Sequence, residues 1–270
     1  MSIAQSHTAT ILFISHGGGP LPLLGDAAHA EMVSNLKQIA NQIVRPTAIL
    51  VISAHWEETV ASITSSPHPS MIYDYYGFPA ESYQIQYPAP GEPSLAHAIF
   101  TQLEHHGINA KLDDQRGFDH GLYVPLKIMY PEANIPCIQL SLTNSLDPEE
   151  HIKIGKALSD IAYEGLLILG SGFSFHNMKA FFSKETTETK AMNASFEQWL
   201  IDTCSNTEIN ETERTARLIN WAEAPGAEFC HPREEHLLPL HVCYGAAQRP
   251  CSKFFELHIL NKKASVYLWQ

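Results

Sequence analysis

The chain has 270 residues, of which 44% are hydrophobic and 17% are charged, so it can bury a large core and disorder is not expected. Its 29 acidic side chains outnumber its 17 basic ones, which gives a formal net charge of −12. This balance argues against nucleic acid and anionic membranes as partners, because both are bound by basic surfaces.

In chain order, the residue pattern first predicts a strand over 8–15, a helix over 26–43, strands over 48–53 and 59–65, and a long proline-, glycine- and tyrosine-rich loop over 66–93. It then predicts a helix over 94–106, a turn at 116–121 into a helix that ends at Pro131, a strand over 136–142, a helix over 148–164 and a strand over 166–171. The last part of the chain is predicted to form two helices within 189–221, a helix over 232–246 and a strand over 266–269. Such alternation predicts an α/β fold with a largely parallel central sheet covered by helices. Without repeats or linkers, residues 1–270 are interpreted as a single domain.

Cysteine usage and hydropathy indicate the compartment. The five cysteines are scattered and form no Cys-x-x-Cys pair, so neither a disulfide framework nor a zinc ribbon is expected. The first residues lack the pattern of a signal peptide, and no apolar stretch approaches the ~20 residues that span a bilayer. We therefore predict a cytoplasmic protein.

Three predicted strands run into a histidine. These residues are His16 after ILFIS, His55 after ILVISA and His176 after LLILGSGFSF. Because ligands bind beyond the carboxyl ends of parallel strands, neighbouring strands would bring these three imidazoles to one edge of the sheet. The glycine-flanked His120 and the helix-start residue His236 are further candidates. The pattern predicts a metal site at this edge, since imidazole suits iron, zinc, copper or nickel.

Other polar motifs have simpler interpretations. His231 is interpreted as a loop residue. Glu234 and Glu235 could bind the metal or support its ligands, but solvated acids at the start of a helix are the favoured interpretation. The loop Gly17–Gly19 lacks the Lys-Ser/Thr of a phosphate-binding loop. Ser171 and Ser174 hint at a hydrolase, but no Gly-x-Ser-x-Gly elbow is present.

Six segments together resemble one family: SHGGGPLPLLGD, SAHW, YYGFPAESYQIQYPAPG, GFDHGLYVPLKIMYP, the strand before FHNM, and REEHLLPL. The chain resembles the DODA-type class III extradiol dioxygenases, the 4,5-DOPA dioxygenase family, which is distantly related to protocatechuate 4,5-dioxygenase. The resemblance covers the chain from about His16 to beyond Ala246. The Gly-Gly-Gly-Pro loop departs from the Gly-Ser-Pro type of some relatives, which leaves substrate preference open.

The resemblance implies a single catalytic domain with a non-haem metal at one edge of the sheet. It implies that His16, His55 and His236 bind the metal, that His176 either binds it or handles protons, and that His120 acts on the substrate side. Fe(II) is expected to support activity and Zn(II) to be found in purified protein. No carboxylate ligand is obvious, in contrast to the two-histidine, one-carboxylate site of the protocatechuate branch.

The implied function is insertion of O2 into a catechol, with ring opening to a semialdehyde. The tyrosine-rich loop (Tyr73, Tyr75, Tyr76, Phe78) is a candidate to stack on the ring, and Arg116, Lys127 or Arg233 to balance a substrate carboxylate. A zinc hydrolase on the same scaffold and a non-enzymatic metal-binding protein remain alternatives. The expected partners are a small aromatic substrate and O2, with the chain as a monomer or small homo-oligomer. The particular catechol and the bond that is cut stay open.

Overall fold

A computed structural model describes residues 9–270, whose strands form one eight-stranded sheet. The strands are β1 (Thr10–Ser15), β2 (Ala48–Glu58), β3 (Ala61–Thr64), β4 (Ala110–Asp113), β5 (Cys137–Thr143), β6 (Leu166–Gly172), β7 (Lys253–Ile259) and β8 (Lys262–Trp269). Their order across the sheet is β4-β3-β5-β2-β6-β1-β8-β7. Thr8, at the start of the first predicted strand, lies outside the described residues.

The centre of the sheet is parallel and its outer parts are mixed. Strands β5, β2, β6 and β1 are parallel neighbours, whereas β8 pairs antiparallel with β1 and β7, and β3 pairs antiparallel with β5. Every residue of β5 and β6 is buried, as expected for central strands that helices cover. The predicted α/β fold with a largely parallel sheet is confirmed.

Nine α-helices connect and cover the strands in residues 9–270. They are α1 (Ala30–Gln42), α2 (Pro93–His105), α3 (His120–Met129), α4 (Pro148–Leu158), α5 (Met178–Phe181), α6 (Thr187–Ser205), α7 (Glu211–Ile219), α8 (Ala227–Cys230) and α9 (Leu238–Ala247). Helix α9 packs on β6, β1 and β2, and α3 packs on β2 and β6. No helix among these residues is long and apolar enough to cross a membrane.

Several predicted boundaries are wrong. The strand predicted over 48–53 continues to Glu58, and the helix predicted over 148–164 ends at Leu158. The helix predicted over 232–246 begins only at Leu238, which leaves the preceding residues in a turn. The two edge strands, β4 and β7, were not predicted.

Candidate metal centre

The parallel strands place His16 and His55 at one edge of the sheet. His16 directly follows β1, and its backbone N–H donates to Gly172 O at 2.9 Å, which extends the pairing of β1 with β6. His55 lies within β2, where the register against β5 shifts between Ile52 and Glu57. This bulge interrupts the ladder and allows the strand to turn a side chain towards the sheet edge.

His236 reaches the same edge from the turn before α9. Its carbonyl oxygen accepts a hydrogen bond of 2.9 Å from Phe173 N, just beyond the end of β6. The turn lies so close to β6 that a β-carbon on Gly172 would be 2.2 Å from His236 O. Glycine at this position therefore permits the approach that brings His236 beside the first two histidines.

His16, His55 and His236 converge. One ring nitrogen from each lies within 4.8 Å of the others, and Nε2 of His55 is 3.1 Å from Nε2 of His16. The ring of His236 lies 5.3 Å from that of His16 and 4.9 Å from that of His55, centroid to centroid. Three donors from separate elements thus surround one small volume at the predicted edge of the sheet.

In His16 and His236, the ring nitrogen that points away from the other histidines is hydrogen-bonded. The ring nitrogen that faces them is therefore available to a metal ion. Ser171 Oγ donates to Gly121 O at 2.5 Å, so it accepts from Nδ1–H of His16 at 3.0 Å. His236 Nδ1 lies 2.8 Å from Oε1 of Glu235 and donates to it. In both rings Nε2 then carries a lone pair, the form that binds a metal ion.

Burial keeps the three imidazoles neutral. Desolvation, followed by repulsion from the neighbouring histidines, lowers the pKa of His16 and of His236 well below the ordinary value. The pKa of His55 is also well lowered, mainly by burial and by His120. Neutral, buried imidazoles are ready to bind a divalent cation without first losing a proton. The donor set therefore fits a non-haem metal such as iron or zinc.

The remaining two predicted histidines flank this centre. The ring of His176 stacks on His236 at a centroid distance of 3.4 Å, and its Nδ1 lies 3.1 Å from Oε1 of Glu235. The ring of His120 lies 3.9 Å from that of His55, at the first residue of α3. All five predicted histidines are thus brought together, with His176 beside His236 and His120 beside His55.

Comparison with known proteins identifies the family. A sequence model described as the catalytic LigB subunit of aromatic ring-opening dioxygenase matches residues 2–265. The chain belongs to this family. It is 37% identical to dioxygenase tasH of Hapsidospora irregularis, over 97% of this chain and 85% of the relative. It is 39% identical to a 4,5-DOPA dioxygenase extradiol of Beta vulgaris, over 90% of this chain and 89% of that protein.

A bacterial relative and a solved structure agree with this assignment. A 4,5-DOPA dioxygenase extradiol of Escherichia coli K12 is 31% identical over 90% of this chain and 87% of its own length. The crystal structure of an uncharacterized E. coli K12 protein superposes with a TM-score of 0.77 and 26% identity, covering 97% of this chain and 100% of that chain. The resemblance to class III extradiol dioxygenases is confirmed, and with it the predicted enzyme class, an aromatic ring-opening dioxygenase.

In this LigB-family chain the tyrosine-rich loop packs beside the centre. The ring of Tyr75 meets His120 edge-on at 5.7 Å, and Phe78 contacts Tyr75 at 5.4 Å. A β-carbon on Gly19 would lie 3.1 Å from Phe78, so the loop also touches the glycine segment that follows His16. Tyr76, by contrast, is 92% exposed.

The three cationic side chains that are candidates to balance a substrate carboxylate already have partners in the protein. Arg116 lies over the Trp56 ring at 4.6 Å, and its Nη2 is 3.2 Å from Asp119 Oδ2. Lys127 Nζ donates to the Gln86 carbonyl at 2.9 Å. Arg233 makes two hydrogen bonds of 2.6 Å to Glu57, and its Nη1 lies 3.4 Å from Glu235 Oε2. Nη2 of Arg116 also donates to the backbone carbonyl of His55 at 3.5 Å, so Arg116 contacts the histidine cluster directly, whereas Arg233 is linked to it through Glu235.

Sequence reasoning misassigned one group beside the site, Glu235, and overlooked another, His29. The interpretation of Glu235 as a solvated acid is wrong, because it is only 8% exposed and contacts two histidines. Buried His29 accepts from the backbone N–H of Gly18 at 2.9 Å through Nε2, while its Nδ1 lies 2.6 Å from Asp26. The Glu-His adjacency and the Asp-x-x-His spacing were the only signals for these roles.

Proposed function

We propose that this protein is an extradiol dioxygenase that opens the ring of a small catechol, such as DOPA, with O2 and Fe(II). The observation that carries the proposal is the convergence of three neutral imidazoles, His16, His55 and His236, within 4.8 Å at the sheet edge. Membership of an aromatic ring-opening dioxygenase family and relatives named for 4,5-DOPA support it. Both oxygen atoms enter the product, a C–C bond beside the two hydroxyls breaks, and a semialdehyde forms.

His16, His55 and His236 would hold the metal. Bound Fe(II) would supply electron transfer between an electron-rich catecholate and O2. The chain's own task is to move protons, since a catechol must lose a proton on binding and a later oxygen must gain one. His176 and His120 are assigned this task because they flank the three proposed ligands, on His236 and His55 respectively.

The neighbouring groups suit these roles. Glu235 contacts Nδ1 of His176, which directs the other ring nitrogen of His176 away from that carboxylate. Tyr75 packs against His120, and its apolar ring edge helps to exclude water from that side of the centre. The loop therefore provides a wall against which an aromatic ring would bind.

The test uses metal-free protein reconstituted anaerobically with Fe(II) and, separately, with Zn(II). DOPA and a panel of catechols are added, oxygen is admitted, and oxygen uptake is followed together with the absorbance of the semialdehyde. Uptake with Fe(II) alone, matched by product, is the expected result. Metal-dependent hydrolysis of esters without oxygen uptake would instead establish the zinc hydrolase alternative.

Variants link the activity to the proposed ligands. His55→Ala and His236→Ala should lose metal retention and ring opening together, whereas His68→Ala, an exposed histidine of the long loop, should retain both. A fully active His55→Ala protein with one metal per chain would refute the ligand assignment.

A further inference from the structure

Asp74, in the tyrosine-rich loop, lies against His120 with both carboxylate oxygens. Oδ1 accepts from the backbone N–H of His120 at 3.0 Å, and Oδ2 lies 2.8 Å from its ring Nδ1. The Asp74 side chain is 20% exposed and that of His120 is 7% exposed. The carboxylate therefore holds the backbone at the first turn of α3 and places its second oxygen beside the ring Nδ1.

The loop holds Asp74 in this place. Ile72 N donates to Phe118 O at 2.8 Å, and Phe118 N donates to Ser70 O at 2.7 Å, so the chain pairs on both sides of Met71. One carboxylate oxygen of Asp74 accepts from the backbone N–H of His120, and the other faces its ring Nδ1. An ionised carboxylate can only accept hydrogen bonds.

We propose that Asp74 is a positioning residue that fixes the tautomer of His120, with the proton on Nδ1 and the lone pair on Nε2. The inference rests on the proposed function in one respect, that His120 exchanges a proton with the substrate. A neutral imidazole has one donor and one acceptor nitrogen, so a carboxylate at Nδ1 leaves Nε2 as the acceptor. His120 then meets a catechol hydroxyl as a base.

Asparagine at position 74 would reverse this arrangement. The backbone N–H of His120 is a donor, so it retains the single oxygen of Asn and turns the amide nitrogen towards Nδ1. That nitrogen donates, and the ring proton must move to Nε2. Asp74→Asn therefore enforces the wrong tautomer with little change in shape, whereas Asp74→Ala leaves the ring free to adopt either.

The first test reads the tautomer without turnover. Metal-free protein with 15N-labelled histidine is compared by NMR at one fixed pH for wild type, Asp74→Asn and Asp74→Ala, with His120→Gln assigning the signal. Wild type should show a protonated Nδ1 and an unprotonated Nε2, and Asp74→Asn should show the reverse. The same tautomer in wild type and Asp74→Asn would overturn the proposal.

The second test reads kcat against KM in the Fe(II)-loaded enzyme. Proton transfer by a positioned group contributes about 100- to 10,000-fold, so Asp74→Asn should lower kcat by about 100-fold or more, with KM and metal content little changed. Asp74→Ala should lose less. A merely structural role would give the opposite order, because alanine removes more contacts than the isosteric asparagine, and that order would refute the proposal.

A control and the independent readout separate the possible failures. Ser82→Ala removes a hydrogen bond to Pro79 O within the same loop and should leave kcat unchanged. If wild type opens no catechol but the tautomer still reverses in Asp74→Asn, the proposed function fails and the positioning of His120 stands. If ring opening occurs without the reversal, the positioning role fails alone.

Discussion

Glu235 lies between two histidines, with a single oxygen, Oε1, 2.8 Å from Nδ1 of His236 and 3.1 Å from Nδ1 of His176. Burial opposes its ionisation, but the bond from His176 and nearby charges prevail, so the pKa of Glu235 lies below its ordinary value. Its negative charge makes the His236 ring a stronger electron donor and holds it in the tautomer that a metal requires. In the proposed metal site, this carboxylate would act behind the histidines and not as a direct ligand.

Glu235→Gln should therefore lower the affinity for Zn(II) and Fe(II). Loss of a group that orients a ligand typically costs about 10- to 100-fold in metal affinity. Competition with a chelator of known affinity measures the change. Glu234→Gln is the matched control, since Glu234 is the adjacent, less buried acid. Equal affinities in the two variants would contradict the role given to Glu235.

The positions of His16, His55 and His176 in the site could be predicted from the sequence. Each follows an apolar run that predicts a strand, and parallel strands end at the same edge of a sheet. Glu235 could not be separated from Glu234 in the same way, because only the turn before α9 decides which carboxylate faces inward. The choice for His176 between ligand and base is likewise absent from the sequence. It depends on the 3.4 Å stacking against His236, a contact between distant segments.

At the scale of elements, two helices meet through glycines. A β-carbon on Gly245 of α9 would lie 2.2 Å from Ile152 O of α4, and one on Gly155 of α4 would lie 2.2 Å from Val242 O. The close contact between the two helices fixes the position of α9, whose preceding turn carries His236.

The edge strands β4 and β7 were not predicted because they lack the pattern of a buried strand. β4 has four half-buried residues, and β7 exposes four of its seven, so neither shows the apolar run of a central strand.

Gly245→Ala should destabilise the fold, although alanine favours a helix by about 1 kcal/mol. The added methyl group must separate α4 and α9, and such overpacking costs about 1–3 kcal/mol. Urea unfolding measures the free energy of unfolding, and Gly155→Ala should behave in the same way. A gain in stability in either variant would show that the helices separate without cost.

Helix α6 packs on β8 through a buried carboxyl group. Ser265 Oγ donates to Oε2 of Glu197, while Oε1 has no hydrogen-bond partner among the described residues. Burial raises the pKa of Glu197 from 4.5 to about 7. The folded state therefore holds a proton that the unfolded state releases. The resulting stabilisation is complete below pH 4.5 and is lost as the pH rises through about 7.

Glu197→Gln should remove this pH dependence, because the amide stays neutral at every pH. At pH 8 the variant should be more stable than wild type by up to about 3 kcal/mol, and near pH 4.5 the two should agree. Thermal unfolding across this range measures the difference. Glu188→Gln, an exposed position on the same helix, is the control and should follow wild type throughout. A constant offset at all pH values would contradict the assigned cause.

For the whole molecule, the order of elements explains why the sequence predicted so much of the site. Strands β2, β6 and β1 are adjacent and parallel, so histidines near their ends share one edge whatever their separation in the chain. His236 and His120 are different, because α9 and α3 bring them in through tertiary packing. Their roles were predicted from the family resemblance and not from strand pattern. His16 and His236 therefore come together only when the whole domain has folded.

Metal binding should consequently stabilise the entire chain, because the unfolded state lacks the assembled site. At a free metal concentration 100 times the dissociation constant, the gain is about 2.7 kcal/mol. For a domain of this size that corresponds to a rise in Tm of about 5–10 °C. Scanning calorimetry with increasing Zn(II) should show this rise for wild type and for His68→Ala, and its loss in His55→Ala. Equal rises in all three proteins would mean that the stabilising ion binds elsewhere, and the three-histidine centre would have to be abandoned as the metal site.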